Sequence, residues 1–174
     1  MKKIFWFIID SVRSIRTNKD DRDRLEIMDK LDHEFANYQN AYTSAPSTIM
    51  SAASMFTGNN TFKMSRSYSD WKFDSKTITP LKKILEERDY EIFPIDNSKR
   101  AREMLKSIIG YLDKKFYPSL SHGKNWSNQE VTAIFENCLK KSDKNKNSFF
   151  MCWFDCRHDK YSSNEIEKCL KLIK

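Results

Sequence analysis

IFWFIID, residues 4 to 10, is a run of six apolar residues closed by a carboxylate. Two lysines precede it, as in a signal peptide. Its apolar length falls short of the roughly 7–15 residues of a signal h-region and far short of the ~20 of a membrane span. No cleavage site of small residues follows at once. A short run rich in Ile and aromatics, with no position left for water, predicts a central parallel strand covered on both faces. The carboxylate of Asp10 at its end is costly there unless it is paired or binds a cation. Two roles stay open for it: capping the next turn through Asx geometry, or acting as a hard oxygen ligand for a divalent metal.

Downstream, residues 19–35 are highly charged, with Leu25, Met28, Leu31 and Phe35 at helical spacing, and predict an amphipathic helix. Phe35 to Tyr42 reads as a short strand. YTSAPSTIMSAASMFTG, residues 42–58, then crowds four serines and three threonines around Pro46 and ends on one of only three glycines in the chain. Its hydroxyl-rich start and terminal glycine predict a helix from Thr48 to Phe56.

Residues 59–76 have no clear period and read as a loop. TITPLKKILEERDY (77–90) predicts a helix with Pro80 in its first turn and Leu81, Ile84 and Leu85 as the buried stripe. YEIFPI (90–95) is the next strand, and residues 98–115 another amphipathic helix. A helix starts at Ser127 with Glu130 completing a capping box. NSFFMCWF (147–154) is the second strongly apolar strand, and Asn164 to Ile173 a closing helix. Strands and helices in alternation predict an α/β fold with a largely parallel sheet in one domain, residues 1–174. Sites in such sheets form beyond the carboxyl ends of the strands. That rim would carry Asp10, the Ser/Thr cluster and DCRHDKY (155–161).

The bulk numbers fit this picture: 174 residues, 39% hydrophobic, 13% aromatic, net charge +7. Lysines are interspersed with acids and are not gathered with aromatics on one face, so the expected surface is a solvated mixture with no nucleic-acid partner. No membrane span is expected, and the location expected is cytoplasmic. Cys138, Cys152, Cys156 and Cys169 form no CxxC pair. Cys152, Cys156 and His158 can be written as zinc ligands, but their apolar segment favours buried free thiols in a reducing compartment. His122-Gly123-Lys124 reads as an exposed turn.

Thr48, at a helix start, would meet free backbone N–H groups and the positive end of the helix dipole, a setting that binds anions. A hydroxyl there in contact with a metal has a lowered pKa and becomes a nucleophile towards phosphorus or sulfur. The structural alternative is that Ser47 or Thr48 serves only as the helix N-cap.

Taken together, the apolar strand ending in Asp10-Ser11-Val12-Arg13, the Asn-Ala-Tyr segment, Ala-Pro-x-Thr, a short helix and Ser-Met-Phe-Thr-Gly resemble the N-terminal part of the sulfatases and their relatives in the alkaline phosphatase superfamily. The likeness continues more loosely through TITPLKKILEERDYEIFPI, with Asp89 where that family has glycine, and through SFFMCWFDCRHDKY. It implies an alkaline-phosphatase/sulfatase-like three-layer αβα sandwich, of which the chain represents the N-terminal portion, the family's other metal ligands lying beyond Lys174.

The same resemblance makes Asp10 a metal ligand, Thr48 the nucleophile and a second contact to that metal, and His158 a contact to the substrate's anionic group. The implied cofactor is a divalent ion, Ca, Mg, Mn or Zn. The implied substrate is a small-molecule, glycan or lipid ester of sulfate or phosphate. Threonine at position 48, where sulfatases carry a cysteine-derived formylglycine, closes that route and matches the phosphatase- and phosphotransferase-like members. Met50 stands where proline is usual, Ala52 where sulfatases have arginine, and Lys160 where proline is expected after His158. The competing expectation is a truncated, non-catalytic member that binds an anion or a partner protein.

Overall fold

A computed structural model describes residues 1–10, 36, 38, 40–60, 81–96, 127–154 and 163–173. Among these residues three strands form one parallel sheet: β1 (Lys3–Ile9), β2 (Tyr90–Asp96) and β3 (Asn147–Phe154), in the order β1-β3-β2. Four helices accompany them: α1 (Thr48–Thr57), α2 (Leu81–Glu86), α3 (Asn128–Lys141) and α4 (Ser163–Ile173). The chain is therefore α/β with a parallel sheet, as the alternation of patterns predicts.

Among the described strands β3 lies in the middle and β1 at an edge, where Phe5 to Ile9 are only half-buried and Ile4 is exposed. β3 is the strand covered on both faces and paired on both sides, and from Ser148 to Phe154 it is wholly buried. β1 is as apolar as β3, so apolarity alone does not rank them; hydrogen bonding on both sides does.

Register divides the side chains between the faces. Trp6 and Ile8 share one face with Phe149, Met151 and Trp153, and there Ala52, Ala53 and Phe56 of α1 and Leu85 of α2 pack on the sheet. Phe5, Phe7 and Ile9 share the other with Phe150, Cys152 and Phe154, against Val131 and Phe135 of α3 and Cys169 of α4. On this second face Phe5, Phe150 and Phe93 stack with near-parallel planes across the three described strands, with ring centroids 5.0 and 4.7 Å apart and planes 16° and 9° from parallel. Phe135 of α3 closes on the row, T-shaped to Phe5 at 6.1 Å and to Phe150 at 6.0 Å.

Helix ends follow their local chemistry. Ser127 caps α3, accepting from Glu130 N–H at 3.2 Å while the Glu130 carboxylate accepts from Ser127 N–H at 2.7 Å, the reciprocal pair expected from Ser-x-x-Glu. Of the expected stripe on α2, Leu85 is buried, Leu81 half-buried and Ile84 exposed. Leu81 and Leu85, four positions apart, face the sheet together, and Ile84 lies to the side of that line. After α2 Asp89 takes the left-handed conformation (φ 55°) that glycine adopts without strain.

Ala36, Tyr38 and residues 40–42 are not strand, contrary to the expectation for 35–42, and Tyr38 and Tyr42 are strongly exposed. The expected helices at 19–35 and 98–115, the rest of the 59–76 loop, Pro80 and His122-Gly123-Lys124 lie outside the described residues. Exposed helix faces carry i,i+4 pairs such as Lys140–Glu136 and Lys171–Glu167, each worth about 0.3–0.5 kcal/mol. No helix among the described residues is long and apolar enough to cross a membrane.

Cys138, Cys152 and Cys169 are buried free thiols beneath α3 and α4. Burial pushes the Cys138 thiol up to about 11, against a small opposing pull from Lys141. Burial, then the neighbouring Cys169 and Cys138, raises Cys152 well above the ordinary thiol range. Cys156 lies outside the described residues.

Two measurements check this core. Phe150→Ala removes the middle ring of the stack and should cost about 3–5 kcal/mol in urea unfolding; a loss under about 1 kcal/mol would mean that the stack does not hold the sheet. For the thiols, the unfolded chain releases protons above an ordinary value of 9.0 that folded Cys138 keeps until about 11. Stability is therefore intact below pH 9 and falls through that window, and Cys138→Ala should make the fall shallower than in the parent protein.

Candidate functional site

Asp10 extends β1 by one residue on its hydrogen-bond ladder, its N–H donating to Phe154 O at 2.9 Å. Alternation places it on the face of Trp6 and Ile8, the face that α1 covers. Ala52 and Ala53 of α1 are fully buried, and Phe56 packs on Trp6 with centroids 5.3 Å apart. Small side chains at these two positions let the helix lie close to the sheet. Its first turn then stands at the carboxyl end of β1.

There Thr48 Oγ1 donates to Asp10 Oδ1 at 3.5 Å, joining residues 38 apart in sequence. That is a long O–H···O contact, weaker than the usual 2.7–2.8 Å. Both side chains are half-buried.

The two candidate caps resolve into separate roles. Ser47 is the N-cap, with extended backbone (φ −120°, ψ 144°) and a side chain that accepts from Met50 N–H at 3.3 Å. Thr48 is the first helical residue, so its hydroxyl is not consumed by the cap. Four other hydroxyls of the cluster, those of Thr43, Ser51, Ser54 and Thr57, serve the backbone or one another. Thr43 donates to Ala45 O at 2.9 Å and meets Ser51 Oγ at 2.8 Å. Ser54 donates to Asn59 O and Thr57 to Ala53 O, each at 2.7 Å. Gly58 ends the helix at φ 64°, its N–H donating to Ser54 O at 2.8 Å. A side chain there would touch nothing within 4 Å, so glycine is needed for its backbone conformation and not for space.

The donor set fits a hard cation in kind. A carboxylate and a hydroxyl are oxygen ligands, and 3.5 Å is close to the spacing of two adjacent ligands on an ion with metal–oxygen distances of about 2.3–2.6 Å, a Ca²⁺-like size. Among the described residues no group of three or more His, Cys, Asp or Glu stands close enough to hold a metal. Of the sequence candidates, Asp10 and Thr48 are brought together, while His158, Ser11 and Arg13 lie outside the described residues.

Asp96 is the residue that the sequence reading passed over. It ends β2 one position beyond the expected strand, is 3% exposed, and pairs in register with Trp153 on the face of Asp10. The signal was present in the sequence: an aspartate directly follows each apolar run, as Ile9-Asp10, Ile95-Asp96 and Phe154-Asp155.

The chain matches no family model and no curated protein.

Because Ser47 and not Thr48 forms the cap, the two substitutions should separate. Ser47→Ala should cost about 1 kcal/mol in thermal unfolding followed by circular dichroism, whereas Thr48→Val should stay within about 0.5 kcal/mol of the parent. Equal losses would place the Thr48 hydroxyl in the cap.

Proposed function

We propose that this chain is a sulfatase-like hydrolase or transferase acting on esters of phosphate or sulfate, with Thr48 as its nucleophile. The observation that carries the reading is the contact of Thr48 Oγ1 with Asp10 Oδ1 at the carboxyl end of β1, while a different residue caps the helix. It joins the two positions that the resemblance to the alkaline phosphatase superfamily singles out. The three-layer αβα architecture of that superfamily belongs to the same reading.

In the proposed reaction the Thr48 oxygen attacks the phosphorus or sulfur centre in line with the leaving oxygen. The bond from that centre to the ester oxygen breaks, the alcohol departs, and a threonyl ester remains for water or a second alcohol to cleave. The hydrogen bond to Asp10 orients the hydroxyl and marks where its proton goes. Helix geometry leaves the N–H groups of Thr48 and Ile49 without acceptors in α1, so they can meet the charge that develops on the anionic oxygens. Asp10 and Thr48 would hold a divalent cation, which, when bound, lowers the pKa of the hydroxyl. His158, on the sequence resemblance, contacts the substrate's anionic group.

The test is turnover of aryl phosphate, phosphodiester and aryl sulfate esters by the full chain with Mg²⁺, Mn²⁺, Ca²⁺ and Zn²⁺ in turn. Thr48→Ala should lower the rate by at least about a thousand-fold, and Asp10→Asn should weaken cation binding in calorimetry. Turnover that survives Thr48→Ala sinks the nucleophile assignment. Anion binding without turnover would favour the non-catalytic binding module instead.

A further inference from the structure

Two adjacent residues, Ser47 and Thr48, both carry hydroxyls able to cap a helix. In the observed frame Ser47 is the cap, and Ser51 N–H bonds to Ser47 O at 2.9 Å. Were the helix to begin one residue later, Thr48 would take the extended backbone of a cap. Its hydroxyl would then turn to Ser51 N–H, the third residue of that shifted helix, and leave Asp10. The choice of frame therefore decides what the Thr48 hydroxyl does.

The approach to the helix is tied down by a second pair of hydroxyls. Thr43 has one hydroxyl proton, and with that proton on Ala45 O at 2.9 Å, its 2.8 Å contact with Ser51 makes Thr43 the acceptor and Ser51 the donor. Ala45 N–H also faces Thr43 Oγ1 at 3.5 Å, and Ala45 is buried. Residues 43–45 are thereby fastened to the first turn of α1, with Pro46 stiffening the link to the cap.

We infer that the Thr43–Ser51 hydroxyl pair is a positioning device: it holds the capping frame at Ser47 and so leaves the Thr48 hydroxyl to Asp10. Its importance for chemistry rests on Thr48 being the proposed nucleophile, but its test does not.

The full chain, labelled with ¹³C and ¹⁵N, reports the frame through the Cα and Cβ shifts of residues 47 and 48, which separate extended from helical backbone. The parent protein should show 47 extended and 48 helical. Thr43→Val, which keeps the shape and removes the hydroxyl, should move Thr48 Cα upfield and Cβ downfield, towards the extended state. Ser51→Ala, which introduces the best helix former, should do the same. Ser47→Ala marks the fully shifted frame, and Thr43→Ser should restore the parent shifts. If Thr43→Val and Ser51→Ala melt earlier with unchanged shifts at 47 and 48, the pair only stabilises the helix and the inference falls. It falls also if Thr48 is already extended in the parent. Parent shifts as expected, together with absent ester turnover, would remove the enzymatic reading and leave the frame selection standing.

Discussion

Every residue of β3 from Ser148 to Phe154 is buried, the strand pairs in parallel with a neighbour on each side, and Phe150 at its middle stacks on Phe5 and Phe93. This double ladder holds the registers of β1 and β2, because side chains alternate between faces with a period of two. If β1 slipped by one residue, Trp6 and Ile8 would leave α1, and Asp10 would turn to the face of α3 and α4. The aromatic row resists that slip, since the stack forms only with Phe5 opposite Phe150 and Phe93 opposite Phe150. A packing interaction on one face of the sheet thus sets where a carboxylate lies on the other.

The second element of the arrangement is the closeness of α1. Ala52 and Ala53 present almost no side chain to the sheet, and Phe56 fills the remaining space between Trp6 and Trp153. Larger residues at 52 and 53 would lift the helix and carry Thr48 away from Asp10. The cluster of small hydroxyl residues therefore has two purposes. Its alanines allow the approach, and its serines and threonines satisfy a loop, a cap and a helix end that would otherwise expose backbone groups. Thr48 is the member whose hydroxyl is directed at the sheet.

Much of this could be read from local pattern, because the devices are local. The apolar runs at 4–9 and 147–154, the capping box at Ser127 and Glu130, and the stop at Gly58 each depend on residues within a few positions of one another. The misreadings share an opposite cause. Whether β1 or β3 is central depends on which strand has partners on both sides, and Ile84 is exposed because of where α2 meets the sheet. Neither fact has a local signature. Ser47 and Thr48 were equivalent as candidate caps, and only the three-dimensional placement of Asp10 gives the second hydroxyl a different partner. Asp96 escaped notice because its strand was ended one residue early.

The strand order also bears on where Asp10 lies. From β1 the chain crosses to β2 with α1 and α2 on one face, then returns to β3 with α3 on the other, and continues into α4 on that same second face. Reversing both the direction and the face gives the two crossovers the same hand, as the strong preference for right-handed crossovers requires. It also means that α1, described before β2, and α4, described after β3, lie on opposite faces of the sheet. In open parallel sheets, ligands commonly bind beyond the carboxyl ends of the strands. Asp10 stands at that end of β1, with the first turn of α1 beside it. Asp96, two strands away, ends β2 on the same face but beyond β3. The fold thus brings Asp10, at the end of β1, and Thr48, at the start of α1, together across 38 positions of sequence.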